Sequence, residues 1–279
     1  MSIKIKFFKG GSCTHPEAIV IRDGQWKSAL FPSVFALILH PSGGAILYDT
    51  GYSQRFFQET RRFPLRLYAL TTPVSVPPEE SALTQLQEQG ISPTAVKSII
   101  ISHFHADHIG GLRDFSDARF VCLKSAYAAV KNKQGFGALK AGFLAGLLPS
   151  NFEERAVFVE NKPQVALPPQ YAPFESGFDL FGDGSLLAVE LPGHATGQLG
   201  LFLTHENQQS YFLIADACWM SRAYQELVMP HAIANLIFAN SQDYQTTLKK
   251  IHQLHKHNAE LKIIPTHCQE TWAMLQSSQ

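Results

Sequence analysis

Residues 102 to 111 read Ser-His-Phe-His-Ala-Asp-His-Ile-Gly-Gly, which puts His103, His105, Asp107 and His108 within six consecutive positions. Three imidazoles and a carboxylate crowded in this way suit metal binding far better than a solvated loop. On an extended or tightly turning backbone His103 and His105 share a face, because side chains at i and i+2 point the same way. Asp107 and His108 follow after the chain has turned and aim at a neighbouring point, so two adjacent ions fit the pattern better than one. The helical zinc signature His-Glu-x-x-His is absent. Gly110 and Gly111 allow the backbone to pass close to the cluster and lead into a following helix.

The elements that must position these groups can be read around them. Val96 to Ser102 is a β-branched apolar run of strand length, so the cluster sits at a strand's carboxyl end, where open α/β sheets place ligands. The strand Leu186 to Leu191 leads into a turn carrying His194. Tyr-Phe-Leu-Ile-Ala-Asp ends an apolar strand on Asp216, and Leu-Lys-Ile-Ile-Pro-Thr-His ends another on His267. A buried strand closing on one ligand-type residue, three times over, is hard to explain by packing.

Taken together, the His-x-His-x-Asp-His run, a separate His, a separate Asp and a final His resemble the metallo-β-lactamase superfamily, and Tyr48-Asp49-Thr50-Gly51 is similar to its strand-end turn. The resemblance covers nearly the whole chain. It implies an α/β fold, a four-layer αβ/βα sandwich with a dinuclear site at one edge between two sheets. It also implies that His103, His105 and His194 hold one ion, that Asp107, His108 and His267 hold the other, that Asp216 bridges them, and that Asp49 orients a ligand histidine. Motif spacing and the opening strands look most like the N-acyl homoserine lactonase branch. In that branch a tyrosine three positions after the bridging aspartate donates a hydrogen bond to substrate. Here that position is Trp219, whose indole N–H can still donate, or which serves as a structural wall of the pocket. Asp107 and Trp219 are the candidate catalytic residues.

Imidazole with carboxylate suits zinc first, with iron and manganese also compatible. Two ions about 3.5 to 4 Å apart can share a water, lower its pKa and present hydroxide to a lactone or ester carbonyl, so no serine or cysteine nucleophile is needed. A glyoxalase-type thioesterase would share these ligands but carries a basic C-terminal helical region, whereas only Gln269 to Gln279 follows His267. A phosphodiesterase is disfavoured by charge. A metal-binding sensor with negligible turnover is the reading from another class.

The chain has 279 residues, 45% hydrophobic, with 23 basic and 23 acidic side chains, so a full core is available and nothing suggests a nucleic-acid surface. A single domain over 1–279 is expected, with a lid or pocket insertion around 132–178. No secretory h-region and no apolar run of membrane-spanning length is visible, which makes the cytoplasm the expected location. The expected partner is a small ester or lactone with an apolar portion, and a homodimer is compatible. Cys13, Cys122, Cys218 and Cys268 lack Cys-x-x-Cys spacing and read as reduced thiols. Cys218 and Cys268 flank ligands yet should face away from them.

Strands are expected at Ile3 to Phe8, with a loop over Gly10 to Pro16, and at Ser33 to His40 and Ala45 to Asp49 as a hairpin around Pro-Ser-Gly-Gly. Further hairpins are expected at Phe178 to Leu191 and from Leu199 to Ala215. Helices are expected from Pro78 to Gln89, Ser125 to Lys133 and Gln242 to His257. His15 and His40 read as surface or loop histidines. Residues 55 to 78 alternate aromatics with arginines and read as an amphipathic excursion packed on the body, or else a flap beside the metals. The apolar stretch Gly135 to Pro149 is either a buried helix or a lid. As a lid, Phe136, Leu139, Phe143, Leu147 and Phe152 would face the substrate.

Overall fold

The computed structural model describes residues 3–278. β1 (Lys4–Pro16), β2 (Ser28–His40) and β3 (Gly44–Tyr48) form an antiparallel meander, followed by the two-residue edge strand β4 (Val74–Ser75). β5 (Val96–Ile100), β6 (Arg119–Cys122) and β7 (Ala156–Phe158) then add in parallel, giving a seven-stranded sheet in the order β4-β1-β2-β3-β5-β6-β7. β8 (Gln164–Ala166), β9 (Ser176–Asp179), β10 (Leu186–Glu190), β11 (Leu199–Thr204), β12 (Ser210–Ala215) and β13 (Lys262–Pro265) form the second sheet, ordered β13-β12-β11-β10-β9-β8. Only β12 and β13 run parallel there.

The central strands are apolar on both faces because both faces are covered, as buried sheets require. Ile38 and Leu47 of the first sheet join Leu186, Leu201 and Leu213 of the second in one core between the layers. On the second sheet's outer face Phe202 and Phe212, paired in register, stack at 3.8 Å beneath the helix Ser241–His257. That helix buries Tyr244, Leu248, Ile251 and Leu254, its 3.6-residue stripe. Asn240 caps it by accepting from the N–H groups of Gln242 and Asp243, a contact of roughly 1 kcal/mol. The result is the αβ/βα sandwich, with helices outside two facing sheets.

Several local expectations need correcting. Gly10 to Pro16 is strand, not loop, since β1 continues past a register shift between Lys9 and Ser12. Pro78 to Gln89 divides at Ser81, whose hydroxyl caps the helix Ala82–Glu88. The helix at the metal motif is Ala106–Ile109, which lies before the two glycines rather than after them. His40 is buried, not at the surface: its Nε2 meets Ser185 Oγ at 2.7 Å and ties the first hairpin to the β9–β10 turn.

The stretch 132–178 is more than an insertion, because it carries the chain from one sheet to the other and supplies the edge strand of each. Within it Gly135 to Pro149 forms two short helical turns rather than one buried helix. Phe143, Leu147 and Phe152 enter the core, Phe152 lying flat on Phe120, so they do not face a substrate. Phe136 is 61% exposed and meets the 71% exposed Phe63 edge-on. None of the five side chains expected at the substrate lines the apolar cavity described below.

Candidate metal centre

The parallel strands β3 and β5 end side by side, and one carboxylate joins their tips. Asp49, at φ 61°, accepts from the Ser102 N–H at 2.8 Å, the Ser102 hydroxyl at 2.7 Å and His108 Nδ1 at 2.7 Å. With Nδ1 engaged, Nε2 of His108 is turned toward the cleft. The carbonyl of Pro32 does the same for His267, accepting from Nδ1 at 2.7 Å. A carbonyl can only accept, so this contact fixes the tautomer that leaves Nε2 free for a cation.

The second sheet delivers the remaining groups. His194 follows β10 on a turn where Gly193 has φ 130°, and a Cβ there would stand 2.2 Å from the backbone nitrogen of Tyr244, so no other residue fits. Asp216 follows Ala215, held at φ 47° in the left-handed region, a strain that persists only where surrounding structure fixes it. His194 Nε2 lies 3.0 Å from His105 Nδ1 and 3.3 Å from Asp216 Oδ2. His267 Nε2 lies 3.0 Å from Asp107 Oδ2 and 3.2 Å from Asp216 Oδ2, and His108 Nε2 is 3.3 Å from both Asp107 Oδ2 and Asp216 Oδ1.

All seven side chains singled out in the sequence therefore converge. They form two groups, His103, His105, His194, Asp216 and Asp107, His108, Asp216, His267, sharing Asp216. Ligand atoms about 2.0–2.2 Å from a common ion at tetrahedral angles stand a little over 3 Å apart, which these spacings match. The buried Nε2 atoms of His103, His108 and His267, and Oδ1 of Asp216, have no hydrogen-bond partner. Buried polar atoms seldom go unpaired, so the donor set fits divalent cations.

Electrostatics agree with that assignment. Burial holds His103 well below the ordinary imidazole range, lowers His105 and brings His194 to about 3, so these rings stay neutral. At His108 and His267 burial is outweighed by Asp107 and Asp216, which hold His108 well above that range and His267 at about 9. Burial would raise both carboxylates, yet the neighbouring imidazoles keep Asp107 and Asp216 well below the usual carboxylate range. Two protons therefore stand where cationic charge is wanted, and metal binding would displace them.

Trp219 donates its only N–H to Asp216 Oδ2 at 2.9 Å and packs on His267, ring centres 4.2 Å apart. The indole expected to reach substrate is thus engaged with the candidate ligands. Cys218 and Cys268 are buried outside both groups, the Cys268 sulfur accepting from the Ser221 N–H. An apolar cavity of about 440 Å³ opens beside His194 and Asp216, lined by Ile19, Val20, Pro230, Ala234, Ile237 and Phe238. His15 also lines it, 5.6 Å from the Trp219 ring, rather than sitting on the outer surface. These wall residues were not found from sequence; the one signal was the short apolar run at 232–238, between Pro230 and the Asn240 cap.

The excursion from Arg55 forms two helices, Arg55–Glu59 and Arg66–Thr71, with Phe56 buried against Tyr68. Burial and then the nearby Asp107 push the Tyr68 phenol well up, so this segment does reach the metal cleft. Gly142 also approaches, a Cβ there standing 2.7 Å from the His105 ring.

A family model described as the metallo-beta-lactamase superfamily matches residues 30–206. N-acyl homoserine lactonase AttM of Rhizobium radiobacter is 23% identical over 259 residues, covering 91% of this chain and 89% of that protein. N-acyl homoserine lactonase AiiB of Agrobacterium fabrum (strain C58 / ATCC 33970) is 24% identical, covering 87% and 82%. An N-acyl homoserine lactone hydrolase solved with N-hexanoyl-L-homoserine at its catalytic metal centre superposes with TM-score 0.72 at 18% identity, covering 98% of this chain and 97% of that one. AidC, a dizinc quorum-quenching lactonase, superposes with TM-score 0.63 at 14% identity, covering 96% and 88%.

Proposed function

Because this chain belongs to the metallo-β-lactamase superfamily, we infer that it is a dinuclear metal-dependent hydrolase that opens a lactone or cleaves an ester with an apolar portion. The observation that carries this reading is the pair of ligand groups sharing Asp216, with unpaired nitrogens turned into the cleft. The names of its relatives support the choice of lactone or ester as substrate.

His103, His105 and His194 would hold one cation and Asp107, His108 and His267 the other, with Asp216 between them. Bound there, two divalent cations supply a water of lowered pKa and a Lewis acid for the scissile carbonyl. Zinc suits the donors best, and iron or manganese suit them too. Asp49 and the Pro32 carbonyl hold His108 and His267 in the tautomer this requires. Asp107, a ligand on this reading, also faces the reacting water's side of the cleft and is kept ionised by His108. Trp219 restrains Asp216, and the apolar cavity takes the substrate's tail and keeps bulk water from it. Ligands come from the ends of strands in both sheets, so the two layers work as one domain around this edge.

Metal analysis of purified protein, with a panel of lactones, aryl esters, thioesters and phosphodiesters, tests the reading. Lactone or ester turnover that disappears in His105→Ala and Asp107→Ala is expected. Turnover surviving both substitutions, or confined to thioesters or phosphodiesters, would overturn it.

A further inference from the structure

A second cavity, about 790 Å³, opens on the other side of the same histidines. It shares His194, Ile237 and Phe238 with the apolar cavity, so the cleft has two arms meeting at the metal centre. The two arms differ in chemistry. Apart from His15, His194 and Asp216, no ionisable acid or base other than the phenol of Tyr244 borders the first. The second is bordered by His105, Lys133 and Lys140 and by no carboxylate.

Both lysines are exposed, and among the described residues neither has a carboxylate within ion-pairing distance, whereas the neighbouring Lys131 stands 3.9 Å from Glu153. The charge is concentrated here. Between Ala118 and Phe152 the chain carries Arg119, Lys124, Lys131, Lys133 and Lys140 and no acidic residue, although the protein as a whole is neutral. A run of one sign bordering a cleft raises the local concentration of oppositely charged ligands and their on-rate.

We propose that this second arm is an anion subsite, and that the natural substrate is an amphiphile with an apolar chain on one side of its scissile carbonyl and a carboxylate or phosphate on the other. The apolar chain lies along Ile19, Val20 and Ala234, and the anionic group reaches Lys133 and Lys140. This rests on the hydrolase reading for its scissile carbonyl, but the two can fail separately.

The test uses metal-loaded protein and two uncleaved amides, anionic N-hexylsuccinamate and neutral N-hexylbutanamide, titrated by calorimetry at low and high salt. The anionic amide is expected to bind about five- to tenfold more tightly at low salt, as two partly screened charge pairs allow. That preference should collapse in the Lys133→Ala/Lys140→Ala double variant and shrink in high salt. Equal affinities, a preference that survives the double substitution because the metals take the carboxylate, or no binding of either amide would each overturn the proposal. Turnover of hexyl butanoate, measured beside it, reports on the hydrolase reading alone.

Discussion

The indole N–H of Trp219 points at Oδ2 of Asp216, 2.9 Å away, while the face of the same ring lies on His267. One side chain thus restrains two candidate ligands of the second cation, one of them the oxygen that also approaches His194. Trp219→Phe keeps an aromatic face and removes the donor. Partners that orient ligands are typically worth 10–100-fold in metal affinity, so about a tenfold weaker affinity is expected, with the pattern of substrate preference retained. Competition against a chromophoric chelator measures it. Unchanged affinity with a fall in kcat/KM would instead assign the indole to the substrate.

Asp49 carries a different kind of load, since its two oxygens satisfy Ser102 and fix His108 at the tips of adjacent strands. Asp49→Asn keeps the shape but must turn an NH2 toward a donor, so His108 loses its acceptor or Ser102 does. Metal affinity should fall by about 10–100-fold. Dialysis against a graded chelator, with metal content read afterwards, decides this; full retention would show that Pro32 and packing alone suffice.

The ligand set was legible because it depends on residue type and spacing, and each separate ligand stands just beyond a strand whose apolar run is plain in sequence. The shared core was legible for the same reason. The cavity walls were not. Ile237 and Phe238 belong to a short irregular segment, and nothing local says that it folds back over His194; only the contacts made by β1, the helix Glu17–Val20 and Tyr244 do. His15 misled because β1 runs on past its bulge, which a loop reading of Gly10 to Pro16 hides. Phe143 and Phe152 misled in the other direction, their apolar character being spent on the core.

Metal removal should leave a protein whose stability depends on pH in a defined direction. Without metal, His267 sits at about 9, burial being outweighed by Asp216 and Asp107, against about 6.5 when unfolded. A raised pKa gives stability that is complete below the unfolded value and is lost as pH rises through the folded one. The chelated protein should therefore melt at progressively lower temperature from about pH 6.5 to 9. The metal-loaded protein, its Nε2 occupied, should not show this loss, and should melt higher throughout, by about 4 kcal/mol of stability at a metal concentration of roughly 1,000 Kd. Parallel melts by circular dichroism test both statements; identical pH profiles would mean that His267 holds no metal.

Ligand deletions should separate the two cations. His105 belongs to one group only, His267 to the other, and Asp216 to both. His105→Ala and His267→Ala should each retain about one equivalent of metal, and Asp216→Ala close to none, because a site reduced below three protein ligands holds metal poorly. Emission spectrometry on folded, dialysed protein gives the stoichiometry. Two equivalents retained in His267→Ala would place the second cation elsewhere.

The apolar arm can be shortened without touching a ligand. Ala234 is buried in its wall, between Pro230 and Ile237. Ala234→Phe fills space that a substrate's chain would occupy, and each methylene excluded from an apolar pocket is worth about 0.8 kcal/mol. A chain losing two to three buried methylenes should lose roughly 10- to 50-fold in kcat/KM by that measure, whereas an acetyl or butanoyl ester should keep most of its rate. The signature is therefore a change in chain-length dependence and not a uniform loss. A uniform loss across chain lengths would mean that the substitution disturbs His194 or the metals, and an unaltered profile would mean that the chain lies along some other wall.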